Sequence, residues 1–286
     1  MLSSAAVKAT DAHIHVQPWW ELKPAVLETM TRGRDDVDEL QKIMKSPEHL
    51  LRRLDADGIE RAVLVNYPSP DLMGFSHRVN EYVAEYCRAA PERLVPMGGV
   101  HPRFVEDAGA EVRRAAELGV RALKIHPPHM AVEPNAYLHG LDALRAIYEE
   151  AQRLRLPVMI HTGTSIFPGA RSRAGEAILV DDVAVDFPDL TIVLAHGGRP
   201  LWMEQAFFLV RRFPNVYLDV SSVPPKTIPK YFPRLAEIAD KALYGSDWPA
   251  PGVRSMGRNL RDFLALDLPE DAKRKIVEEN ARKLFP

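Results

Sequence analysis

The segment Asp11-Ala12-His13-Ile14-His15 holds two imidazoles two residues apart. Side chains at that spacing on a β-strand leave from one face, so His13 and His15 can aim at one point and share a cation. The pair alone says little, because two histidines in a strand serve as readily on a surface or in a hydrogen-bonded core. Three more groups change the balance. His161 closes the apolar run Leu156-Pro157-Val158-Met159-Ile160, His196 closes Thr191-Ile192-Val193-Leu194-Ala195, and Asp247 closes Ala242-Leu243-Tyr244-Gly245-Ser246. Each is a metal-competent side chain at the end of a strand-like run.

The elements that must position them follow from periodicity. Short runs rich in Val, Ile and Leu alternate with stretches of helical spacing, and eight candidate strands end near His15, Tyr67, His101, His126, His161, His196, Asp219 and Asp247. Val79, Tyr82, Val83, Tyr86 and Cys87 share one helix face after a candidate N-cap at Ser76, which places Cys87 in the core. Gly58 and Gly119 stand where helices should end in a left-handed residue. Eight such units predict an α/β fold of the (β/α)8 barrel type; the sequence has no GxGxxG or phosphate-loop motif of an open doubly wound sheet. In such a barrel all eight strand ends meet at one rim, so residues on strands one, five, six and eight can converge.

The chain of 286 residues shows no linker or low-complexity tract and is expected to form one domain over 1–286. The stretch 17–46 is longer than most connections and carries Trp19-Trp20 and a polar run from Thr31 to Asp36. It reads as a lid or dimer-contact excursion, with a surface insertion of no role as the alternative. Lys and Arg number 37 against 39 Asp and Glu, a balance without the basic excess that nucleic-acid binding needs. The lone Cys87 rules out an intrachain disulfide and a thiolate metal cluster, and no apolar run of membrane-spanning length occurs. A cytoplasmic protein with no membrane partner is the expectation.

Taken together, Asp11-Ala12-His13-Ile14-His15, Ile160-His161-Thr162-Gly163, Leu194-Ala195-His196-Gly197-Gly198, Asn215-Val216-Tyr217-Leu218-Asp219-Val220-Ser221 and Gly245-Ser246-Asp247-Trp248-Pro249 give a specific resemblance. The chain resembles, nearly end to end, the amidohydrolase superfamily of metal-dependent barrel enzymes, in particular its branch similar to aminocarboxymuconate semialdehyde decarboxylase. That resemblance implies that His13, His15, His161 and Asp247 bind a divalent metal. It makes His196 the catalytic histidine beyond strand six, or one standing behind the ligands. Three nitrogens and one oxygen suit zinc best, with manganese or iron as alternatives. A metal would bring the pKa of water towards about 7, with Asp247 placed to accept its proton and His196 to orient it or polarise substrate. A homodimer is implied by family likeness alone.

Lys124 ends the fourth strand, where other branches of the superfamily carry a carboxylated lysine bridging two metals. Its readings are that bridge, a cation for a substrate carboxylate, or a rim lysine in a salt bridge; substrate binding or structure is favoured. Arg171, Arg173 and Arg199 lie in loops after His161 and His196, and their planar forks suit a carboxylate on a small-molecule substrate. Trp19, Trp20 and Trp248 could wall the pocket or simply pack. His126 and His129 belong to a rigid His126-Pro127-Pro128-His129 loop, and Asp219 organises the rim without being counted a ligand. The expected reaction is hydrolysis of an ester, lactone or amide. Non-oxidative decarboxylation is the alternative, and a non-catalytic ligand-binding barrel the distant third.

Overall fold

Strands buried on both faces lose the polar alternation of surface strands, and the apolar runs of this chain have that character. The computed structural model describes residues 7–286. Its eight strands are β1 (Ala9–Ile14), β2 (Ile59–Val65), β3 (Leu94–Gly98), β4 (Ala122–Ile125), β5 (Val158–Gly163), β6 (Ile192–Arg199), β7 (Val216–Asp219) and β8 (Ala242–Leu243). They pair in parallel and in sequence order, with helices between them. The ring closes through backbone bonds from β1 to the chain after β8: Ala12 N–H to the Tyr244 carbonyl at 2.9 Å, Asp247 N–H to His13 at 2.8 Å and His15 N–H to Trp248 at 2.7 Å. The expected (β/α)8 barrel is the fold observed.

Alternate strand residues split the core in two. Val63, Val65, Met97, Ala122, Met159, Val193, Ala195 and Leu243 form one buried cluster in the barrel interior. Their neighbours Leu64, Leu123, Ile160 and Leu194 pack outward with helix residues in the larger core. Ala281 and Phe285, at the C-terminal end of the chain, join the interior cluster and are fully buried.

Local departures have local causes. β8 is only two residues long, because the Tyr244 N–H turns to the Ile276 carbonyl at 2.9 Å and Asp247 takes a left-handed backbone (φ +66°). Cys87 is buried as expected, but the helix Val79–Cys87 starts after Arg78; Ser76 stands two residues earlier, its hydroxyl accepting the Arg78 N–H at 3.3 Å. Gly58 and Gly119 end the helices Pro47–Asp57 and Ala108–Leu118 with φ of +73° and +107°. Among the described residues no helix is long and apolar enough to cross a membrane.

Residues 17–46 form two helices, Pro24–Thr31 and Val37–Lys45, packed onto the barrel. Leu40, Ile43 and Met44 are buried, and the hydroxyls of Tyr82 and Tyr86 donate to the carbonyls of Met44 and Ile43, each at 2.6 Å. At the other end Arg34, paired through two nitrogens with Asp36, also donates to the carbonyls of Pro249 and Val253 at 3.3 and 3.2 Å. The segment is thereby tied to the loop that follows Asp247.

Removing the interior ring of Phe285 opens a cavity that this rigid interior cannot refill. Phe285→Ala is expected to cost about 3–5 kcal/mol, read from urea denaturation; a loss below about 1 kcal/mol would show that the end of the barrel is not closed by packing.

Candidate active site

His15 carries the decisive hydrogen bond. Its Nδ1 lies 2.9 Å from the Val65 carbonyl, which can only accept, so Nδ1 bears the proton and Nε2 presents a lone pair. That lone pair faces Asp247 Oδ1 at 3.1 Å. Two acceptors at that distance repel unless a cation, either a proton or a metal ion, lies between them.

His13 Nδ1 pairs with Asp219 Oδ2 at 2.6 Å, and its Nε2 is buried with no hydrogen-bond partner, 3.6 Å from the same Asp247 oxygen. Donor atoms of His13, His15 and Asp247 all lie within 4.8 Å of one another.

Donor atoms of His13, His196 and Asp219 lie equally close together, yet they already serve one another through a hydroxyl. Ser221 Oγ donates to Asp219 at 2.7 Å and lies 2.9 Å from His196 Nδ1. The His161 ring lies 4.7 Å from His196 and stacks on His126 at 3.9 Å. Its Nδ1 is buried without a partner, and His161 stands farther from the carboxylates than the donors of either group. An orphaned buried polar atom costs about 1–3 kcal/mol. Two orphaned imidazole nitrogens beside a lone pair opposed to a carboxylate fit a divalent cation, for which His13, His15 and Asp247 are the closest donors and His161 the adjoining one.

The backbone is strained where it aims these groups. His196 and Asp247 have φ of +64° and +66°, in the region that costs a side-chain-bearing residue on the order of 1–2 kcal/mol. Gly197 and Gly198 continue the turn after His196 at +53° and +78°. A Cβ on Gly197 would come within 2.6 Å of the Phe232 ring, and one on Gly198 within 2.4 Å of the Trp202 carbonyl. Only glycine fits there.

Burial pushes the imidazoles of His13, His126, His161 and His196 well below their ordinary 6.5 and keeps them neutral, as metal binding requires. For Asp247 burial works upward, but its neighbours His15, His13 and Arg199 outweigh it and hold the carboxyl well below the usual range. Lys124 is fully buried and its ammonium has no hydrogen-bond partner; burial lowers its pKa against the opposing pull of Asp219 and Asp247.

A cavity of about 510 Å³ opens over the cluster, lined by His15, His161, His196 and Asp247. Of the three arginines expected there, Arg199 lines it. Arg171 and Arg173 do not: Arg171 is exposed, and Arg173 turns outward to Glu133 at 3.3 Å. Lys124, Trp19 and Trp248 also lie outside the lining, both indoles being buried in the core, where Arg53 sits 5.9 Å over the Trp248 ring. Trp20 is 55% exposed against Tyr82. Arg254, from the loop beyond Asp247, and Arg258, from the helix Met256–Leu264 that follows it, supply cations in their place. Their signal was two arginines four apart after the eighth strand. Tyr67, Met30, Met73 and Phe167 add apolar wall, and nothing in their spacing marked them.

The profile of the amidohydrolase family matches residues 10–286. The chain belongs to the amidohydrolase family. Amidohydrolases are metal-dependent enzymes. The chain matches no curated protein. Among solved structures it is similar to an uncharacterised TIM-barrel protein, Bb4693, from Bordetella bronchiseptica, with a TM-score of 0.78, 24% identity and coverage of 97% of this chain and 98% of the other. It is also similar to 5-carboxyvanillate decarboxylase from Novosphingobium aromaticivorans, solved with manganese and 3-methoxy-4-hydroxy-5-nitrobenzoic acid, at TM-score 0.71, 18% identity and coverage of 98% and 97%. A third is 4-oxalomesaconate hydratase from Rhodopseudomonas palustris, at TM-score 0.62, 18% identity and coverage of 97% and 95%. At these identities the likeness shows the fold of this amidohydrolase and no more.

Two outcomes follow from the geometry. Asp219→Asn weakens the hold on the His13 ring, and metal affinity should fall about 10–100-fold in competition with a chromogenic chelator; unchanged affinity would detach Asp219 from the site. In the metal-free protein the unfolded chain binds more protons than the fold between the depressed imidazole pKa values and about 6.5. Stability present above about pH 6.5 is therefore lost as pH falls, by about 1.4 kcal/mol per unit for each imidazole. Urea midpoints measured from about pH 8 to 5 should drop, and a flat profile would mean the histidines are charged in the fold.

Proposed function

We propose that this amidohydrolase is a metal-dependent hydrolase of a small carboxylated molecule with an apolar body. One observation carries the reading: the His15 lone pair opposed to the Asp247 carboxylate, beside the orphaned His13 nitrogen, at the base of a cavity that holds Arg199. A divalent metal held by His13, His15, His161 and Asp247, zinc by donor type with manganese or iron as alternatives, supplies Lewis acidity and a more acidic water.

The chain's own groups do the rest. Asp219 and the Val65 carbonyl fix the rings of His13 and His15 through their Nδ1 atoms. Asp247, held ionised, accepts a proton at its carboxylate. Ser221 engages Nδ1 of His196 and leaves the Nε2 lone pair to accept from a water or a substrate hydroxyl, and the cavity wall of Tyr67, Phe167, Met30 and Met73 excludes water. Arg199 pairs with the substrate carboxylate, with Arg254 and Arg258 further along the wall.

Decarboxylation is the second reading, favoured by the fold shared with 5-carboxyvanillate decarboxylase and by the aromatic wall. It needs a proton delivered to carbon, for which an ionised Asp247 is poorly suited.

Turnover of carboxylated esters and lactones in ¹⁸O-water tests the choice: label in the product is expected, and carbon dioxide release without label would overturn hydrolysis. Chelation should abolish activity and added zinc or manganese restore it. His161→Ala and Asp247→Ala should lose metal and turnover together. His196→Ala should keep most of its metal while kcat falls about 10²–10⁴-fold. Full activity in either ligand variant would overturn the assignment.

A further inference from the structure

The His126-Pro127-Pro128-His129 loop forms a single helical turn, Pro127–Met130, and carries a polar chain whose hydroxyl and imidazole groups the reaction above does not use. Tyr67 Oη lies 2.9 Å from His129 Nδ1, and Ser165 Oγ lies 2.8 Å from His129 Nε2. All three residues line the cavity. The ring is clamped from both sides, stacked on His126 at 3.5 Å and met edge-on by Phe167 at 5.3 Å, so it cannot turn away from either hydroxyl.

Hydrogen counting gives this chain a definite property. A neutral imidazole between two hydroxyls brings one ring hydrogen and two hydroxyl hydrogens, three in all, to two links. One hydrogen is left over, and it sits on one terminal hydroxyl while the other terminus offers only lone pairs. Exchanging the imidazole tautomer exchanges the two ends. Burial keeps the ring neutral, its pKa lowered to about 3. The Phe167 N–H donates to Ser165 Oγ at 3.3 Å, which both tautomers allow because the hydroxyl oxygen has two lone pairs.

We propose that Tyr67, His129 and Ser165 form a substrate-reading relay, which selects acids carrying a hydroxyl or carbonyl oxygen separate from the carboxylate. The spare hydrogen at Ser165 donates to such an oxygen, and a substrate hydroxyl can instead donate to Tyr67. Either contact sets the tautomer, so one wall reads donor or acceptor without moving a side chain. An acid lacking the oxygen leaves the spare hydrogen buried and unpaired, which is the source of selectivity. The proposal rests on the acid-binding cavity described under the proposed function.

Isothermal titration of the metal-loaded protein with benzoate, 3-hydroxybenzoate and 4-hydroxybenzoate separates the two. The better hydroxylated acid is expected to bind wild type at least about tenfold more tightly than benzoate. In Tyr67→Phe and Ser165→Ala, each a loss of one hydroxyl, that ratio should shrink to within about threefold while benzoate itself moves by less than about threefold. A ratio near one in wild type that nevertheless binds benzoate, or a ratio that both variants preserve, overturns the relay and leaves the acid site standing. Failure of wild type to bind any of the three acids overturns the acid site and the relay together.

Discussion

The closure of the barrel between its first and last strands is the constraint on which the site depends. Asp247 and the imidazoles of β1 lie more than two hundred residues apart, and two backbone bonds bring them together: Asp247 N–H to the His13 carbonyl, and His15 N–H to the Trp248 carbonyl. The same peptide groups that finish the hydrogen-bonding ring thus set the carboxylate beside the two ring nitrogens. A barrel open at this seam would leave β8 as a two-residue stub and separate the donors.

Holding neutral imidazoles and a carboxylate in a dry interior is costly, and the surrounding structure offsets the cost selectively. Asp219 is satisfied by His13 and by the Ser221 hydroxyl, and its other oxygen accepts the Ser221 N–H at 2.8 Å. Asp11, pushed up to about 7 by burial, accepts the N–H groups of His13 and Ser246 and so braces both strands that meet at the seam. Around the site these bonds still leave His13 Nε2, His161 Nδ1 and the Lys124 ammonium without partners. Three such atoms converging beside one carboxylate in a single cavity floor mark a place where a cation or a polar group can bind.

The cover over the cavity is held by a different kind of contact. Arg34 spends its guanidinium on Asp36 and on two carbonyls of the loop after Asp247, and Arg254 returns a bond from that loop to the Gly33 carbonyl at 2.5 Å. The segment 17–46 and the loop that bears Arg254 therefore form one wall, and Met30 reaches the cavity from it. Tight anchoring at both ends favours a fixed wall over a free flap.

The order of strands and the residues at their ends were legible from the sequence, because strand and helix periods are local properties and the βα repeat leaves one barrel rim for all eight ends. His13, His15, His161, His196 and Asp247 were placed at strand ends on that ground, and the family resemblance gave them their expected roles. The loops were not legible in the same way. Arg199, the last residue of β6, faces the cavity, whereas Arg171, in the loop after β5, does not, because the direction of a loop side chain depends on contacts with distant segments. Trp248 adjoins Asp247 in the chain and points into the core, since a left-handed residue at Asp247 turns the backbone between them. Likewise no local pattern could announce that Val65 would fix the His15 proton, or that Tyr67, His129 and Ser165 would meet. Those pairings span distant strands and loops, and only packing in three dimensions determines them.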